Sequence, residues 1–176
     1  MGNYKTGQIL NFKYYDGVFQ WLIAFANKHT YGEKGYTHSA IISEIKEDSI
    51  MVAEALSSGF NVYAYEEWWL DERVKDGTIS IGNAGVELKD VKNTINKYLN
   101  RPYAWYDIFN IGFYFLFGKY AFKISDGSKA LICSEAVCRV LYDCSNKKID
   151  FEKEFNKPFD TITPEDLSKS KQITWS

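Results

Sequence analysis

"HSAIISEIKEDSIMVAEAL", residues 38–56, is the stretch whose reading decides the fold. Two runs rich in Ile, Val and Ala flank the polar "KEDS" at 46–49, which predicts strands over 38–45 and 50–56 joined by a turn. Strand side chains alternate between faces. His38, Ala40 and Ile42 therefore share one face, and Ile50, Val52, Glu54 and Leu56 share another. Placing residue 44 opposite residue 50 leaves a five-residue loop and sets Ala40 opposite Glu54. His38 then lies diagonally from Glu54, about 7 Å away at the backbone and within side-chain reach. A carboxylate inside the apolar run Val52–Leu56 costs several kcal/mol unless it finds a partner, and His38 is the obvious one. The plainer alternative is an edge-strand glutamate facing water beside a surface histidine.

Further strands are expected at "NVYAY" (61–65) and "TISIG" (78–82). Apolar spacing predicts a helix over 16–28, with Asp16 as its cap, and others over 87–99, 103–117 and 133–142. In "TITPEDLSK" Thr163 suits a helix cap and Pro164 the first helical position. Helix, meander of strands, then helices is the order of an α+β domain, with an antiparallel sheet packed by helices. One domain is expected to hold all of residues 1–176.

All three cysteines fall in "KALICSEAVCRVLYDC" (129–144). On a helix, Cys133 and Cys138 point about 140° apart, and Cys144 returns to the side of Cys133 about 16 Å further along. No two converge on one metal ion, neither histidine has ligand spacing to them, and no metal site is expected. Cys133 differs from the others in its place. It follows Ala130, Leu131 and Ile132, and it precedes Ser134 and Glu135, which suit a first turn. The stripe Ala136, Val137, Val140, Leu141 then turns inward. A thiol at a helix N-terminus meets free N–H groups and the positive end of the dipole, which favour the thiolate. The plainer reading makes all three small buried hydrophobes.

The net charge of −2, with Lys and Arg scattered among acids, gives no electrostatic footprint for nucleic acid. Aromatics are 17% of residues, many of them in 101–122. Asp107, Asn110 and Lys119 interrupt that run, so a core or groove-lining helix is expected rather than a membrane span. No secretory signal heads the sequence, which makes a cytoplasmic or phage-encoded protein the default expectation.

A thiol at a helix N-terminus, an imidazole and a carboxylate able to orient it are the parts of a cysteine nucleophile site. Their order resembles the circularly permuted branch of the NlpC/P60 papain-like superfamily, which includes YiiX-like proteins and relatives of lecithin:retinol acyltransferase. In that branch the histidine strand precedes the cysteine helix. "TGQILNF" (6–12) resembles its opening strand, "THSAIISE" (37–44) its histidine strand, "VAEALSSGFNVY" (52–63) the segment after it, and "ICSEAV" (132–137) its cysteine helix start. "YLNRPYAWYD" (98–107) and "TPEDL" (163–167) resemble its tyrosine segment and closing element. Gln8, where an acid is common, and Ser39, where an apolar residue is usual, depart from the pattern.

The resemblance implies a permuted papain-like fold with Cys133 as nucleophile, His38 as general base and acid, Glu54 as the orienting carboxylate, and Tyr103 as a candidate oxyanion-hole donor. It implies no cofactor. The activity implied is a thiol hydrolase of amide bonds in a peptide or peptidoglycan stem peptide. Acyl transfer or lipid or thioester hydrolysis on an acyl-containing substrate, and a non-catalytic binding module, are the alternatives.

Overall fold

A computed structural model describes residues 4–13, 23, 24, 28, 32, 35–105 and 129–176. Strands β2 (His38–Ile45) and β3 (Ile50–Leu56) pair antiparallel with Ala40 opposite Glu54, as the alternation predicts. Toward the turn the register departs from expectation. Glu44 faces Met51 and Ile45 faces Ile50, so the expected pairing of 44 with 50 gives way to an irregularity at Ser43. The Ser43 hydroxyl donates to the Met51 carbonyl at 3.1 Å, and the turn closes from the Lys46 N–H to the Ser49 carbonyl at 2.9 Å. One extra residue is absorbed there without disturbing the end that carries His38 and Glu54.

β4 (Gly59–Tyr65) continues the meander on β3, and β1 (Ile9–Phe12) lies on the other side of β2. The expected fourth meander strand does not follow β4. Helix α1 (Glu67–Lys75) carries the chain back across, and β5 (Ile79–Ala84) pairs with β1. β6 (Ile173–Trp175) adds to β5, giving a six-stranded sheet in the order β4-β3-β2-β1-β5-β6 with every pair antiparallel.

Both faces of this sheet are covered. On one, Leu10, Phe12, Ala40, Ile42, Val52 and Ile79 pack with Leu70 of α1. The other belongs to helices. α2 (Val91–Asn96) is shorter than the expected 87–99, because Asp90 takes a left-handed conformation (φ 49°) just ahead of it. α3 (Cys133–Cys144) runs two residues past the expected 142. Its stripe of Ala136, Val137, Val140 and Leu141 is fully buried against Ile41, Ala53 and Phe60. At about 1.5–3 kcal/mol for each large aliphatic side chain buried, that stripe is what seats the helix. α4 (Phe151–Phe155), a 3-10 turn (Phe159–Thr161) and α5 (Pro164–Ser168) follow. Thr163 caps α5 as expected, accepting from the Asp166 N–H at 3.1 Å while the Asp166 carboxylate accepts from the Thr163 N–H at 2.8 Å.

Of the helix expected over 16–28, only Ile23, Ala24 and Lys28 are described, and all three are helical. The helix expected over 103–117 and the aromatic run to 122 lie outside the described residues from 106 on. Tyr103 itself is not helical: it forms a parallel bridge with Leu131. Among the described residues, no helix is long and apolar enough to cross a membrane.

The segment leading to Tyr103 is tied to the start of β4. The Phe60 N–H donates to the Arg101 carbonyl, and the Asn100 N–H donates to the Phe60 carbonyl, each at 2.9 Å. Gly59, at φ 104°, makes that contact possible, since a Cβ there would stand 2.5 Å from the Arg101 oxygen. Gly59→Ala is expected to destabilise the protein by about 1–3 kcal/mol, lowering Tm by roughly 3–10 °C. Thermal denaturation checks this, and an unchanged Tm would contradict the contact.

Candidate active site

Ile132 is extended (φ −89°, ψ 164°), which makes Cys133 the first helical residue of α3. The Ala136 N–H donates to the Ile132 carbonyl at 3.0 Å to open the helix, and the Ser134 hydroxyl anchors it to the Ile162 carbonyl. His38 is the first residue of β2, with its ring 5.3 Å from that of Phe12, its neighbour on β1. The start of the helix and the start of the strand meet. The thiol of Cys133 and the imidazole of His38 are close enough to shift each other's proton affinity.

The far side of the ring is held by Glu54. Nε2 of His38 lies 2.6 Å from Oε2 of Glu54, which leaves Nδ1 for the sulfur. β3 is an interior strand and Glu54 is only 2% exposed, so the edge-strand alternative does not hold. Its other oxygen, Oε1, accepts from the Tyr65 hydroxyl at 2.6 Å. Tyr65 was not anticipated from the sequence. It shares a face with Glu54 by strand parity, but it stands opposite Ile50, beyond the opposite and diagonal neighbours that a pairing rule considers.

The electrostatics separate the three thiols. Burial pushes the Cys133 thiol up, but the charge and hydrogen bond of His38, joined by the backbone N–H groups of Ser39 and Ser134, outweigh it and hold the thiol below its ordinary range. Burial likewise pushes His38 down, while Cys133 and then Glu54 lift it to about 10. Cys138 and Cys144 are buried without such a partner, and burial raises both. All three cysteines are free. Among the described residues, no group of three or more His, Cys, Asp and Glu side chains converges as metal ligands do.

Tyr103 lies within electrostatic reach of Cys133. The bridge that places it runs from the Leu131 N–H to the Pro102 carbonyl at 2.9 Å and from the Ala104 N–H to the Leu131 carbonyl at 3.1 Å, two residues ahead of Cys133. Burial, with the Cys133 charge adding to it, pushes the phenol well above its usual range, so it stays a proton donor. Trp105 packs edge-on against its ring at 4.8 Å.

The two departures from the expected pattern have structural uses. Gln8 accepts from the Lys5 N–H at 2.7 Å and donates to Asn83 at 3.0 Å. The buried Ser39 hydroxyl donates to Oδ1 of Asn11, whose amide donates to the Pro164 carbonyl at 3.0 Å, tying β2 through β1 to α5. Compared with family models, curated proteins and solved structures, the chain matches none of them.

This arrangement sets one thiol apart from the other two. Iodoacetamide at pH 7 is expected to alkylate Cys133 at least about tenfold faster than Cys138 or Cys144, because its thiol is lowered while burial raises the other two. His38→Ala removes the stabilising charge, so the thiol moves up and the rate at pH 7 falls by about tenfold or more. Peptide mass spectrometry of the alkylated protein checks both, and equal labelling of the three thiols would refute the assignment.

Proposed function

We propose that the chain is a cysteine-dependent hydrolase of amide bonds, in a peptide or a peptidoglycan stem peptide, built as one permuted papain-like domain of the NlpC/P60 kind. The observation that carries the reading is the continuous chain Cys133–His38–Glu54, with the thiol lowered and the imidazole raised to about 10. An imidazole that keeps its proton at neutral pH favours amides over activated esters, because a leaving amine must be protonated as the C–N bond breaks.

In this reading the Cys133 thiolate attacks the carbonyl carbon and forms the C–S bond. The oxyanion is met by the Cys133 N–H at the start of α3, with the Tyr103 hydroxyl as the candidate second donor. His38 passes its proton to the leaving nitrogen, the C–N bond breaks, and the amine departs. Water then attacks the thioester while His38 takes its proton. The acid leaves and the thiolate–imidazolium pair is restored. Glu54 holds the ring in the tautomer and orientation that both transfers need. No step calls for a cofactor.

His38→Ala is expected to lower kcat on an amide by at least about 10³-fold and on an activated ester by much less. Glu54→Gln is expected to leave measurable activity on both. Steady-state kinetics on a peptide anilide and an aryl ester check this, and the opposite ranking of the two variants would mean that the roles are misassigned. In the parent, kcat/KM on the amide should fall as pH passes about 10, where His38 loses the proton that the leaving amine needs.

The substrate class is tested by offering peptidoglycan fragments, short peptides and phospholipid in parallel. The expected result is release of free amine, with an acyl mass trapped on Cys133. Acyl transfer from phospholipid without amine release would overturn the amide reading in favour of an acyltransferase.

A further inference from the structure

Glu54 has two oxygens, and a buried carboxylate left with one of them unsatisfied is free to turn away from its histidine. Oε2 accepts from His38, and Oε1 is held by the Tyr65 hydroxyl at 2.6 Å. Tyr65 is itself fixed. Its backbone pairs with Ile50 at the end of β4, and its ring leans on Trp69 of α1 at 5.4 Å between centroids. The guanidinium of Arg73, one turn further along α1, lies 5.4 Å from the Trp69 ring. An aromatic and cationic stack on the surface of α1 therefore ends in a hydroxyl aimed at the carboxylate that orients His38.

From this geometry we infer that Tyr65 is a positioning residue of the Cys133–His38–Glu54 site. It acts through Glu54, holding the carboxylate so that Oε2 stays on Nε2 of His38. The inference rests on the proposed role of His38 and Glu54, but it is read from the hydrogen bond between them and needs no turnover. A carboxylate held from both sides keeps its acceptor still. One held from a single side swings, and the His38 ring N–H then meets water more often.

The experiment follows the His38 ring N–H by proton NMR in uniformly labelled full-length protein, assigned by its loss in Glu54→Gln. In Tyr65→Phe, which keeps the ring and removes one oxygen, that proton is expected to exchange with water about tenfold faster, the equivalent of one hydrogen bond to a charged group. Circular dichroism should show the fold retained. kcat on the amide should fall by a similar factor with KM unchanged, and adding Tyr65→Phe to Glu54→Gln should change kcat by less than about twofold. An unchanged exchange rate in Tyr65→Phe, or an equal loss of kcat with and without Glu54, overturns the inference. If Tyr65→Phe does not fold, Trp69→Leu asks the same question by removing the ring on which Tyr65 leans, and unchanged exchange there also overturns it. Faster exchange in a protein that turns over no amide would sink the proposed function and leave the positioning role standing.

Discussion

A carboxylate almost cut off from water sits in the middle of the sheet, and the architecture around it follows from making that tolerable. Left alone, the Glu54 charge would be destabilising by several kcal/mol, a large fraction of what holds a domain of this size together. Two donors meet it, one from β2 and one from β4, so its own strand must lie between theirs. The requirement also fixes register. A slip of one residue in β3 would turn Glu54 toward the helices and send Ala53 and Ala55 to the opposite face, exchanging a satisfied carboxylate for an unsatisfied one inside an apolar cluster. The irregularity at Ser43 lies at the far end of the β2–β3 pair, where a shift leaves His38 and Glu54 in place.

The same logic decides which thiol is special. A helix N-terminus favours a negative charge by about 0.3–1 kcal/mol, up to ~2 in partly buried geometries. That is less than the burden of burying a thiolate, so position on the helix is insufficient. Cys138 makes the point from within α3: it is as buried as Cys133, it faces no imidazole, and its thiol is raised. What reverses the direction at Cys133 is His38, and His38 can carry its charge in a buried place because Cys133 on one side and then Glu54 on the other favour it.

Much of this was legible in the sequence because it rests on local periodicity. The period-two alternation of 38–56 gave the strand pair and set Ala40 opposite Glu54. The apolar stripe after Ile132 gave α3 and its beginning at Cys133. Thr163 and Pro164 gave the start of α5. What was missed depends on contacts between distant segments. α1 carries two tryptophans and buries only Leu70, so it has little amphipathic signal, and without it the passage of β5 to the far side of β1 could not be foreseen. Tyr103 was expected inside a helix, but the carbonyl of Pro102 and the N–H of Ala104 are engaged with Leu131 instead. Tyr65 escaped notice because its reach comes from the length of a phenol, which a rule based on nearest strand partners ignores.

A lowered thiol, a raised imidazole and a carboxylate in sequence favour a row of alternating charges. Alternation lets each buried charge stabilise its neighbour, but the two ends of such a row have a neighbour on one side only. Neutral donors close both ends. At the sulfur these are the N–H groups of Ser39 and Ser134 with the start of α3, and at the carboxylate the hydroxyl of Tyr65. A neutral donor suits an end better than another ion would, because it adds no further charge in need of a partner. Removing a middle member leaves charges on both sides unmatched, whereas removing an end donor loosens only the charge it touches. Loss of His38 therefore breaks the row as a unit, and loss of an end donor detunes it, the end donors coming from β2 and α3 at the sulfur and from β4 at the carboxylate.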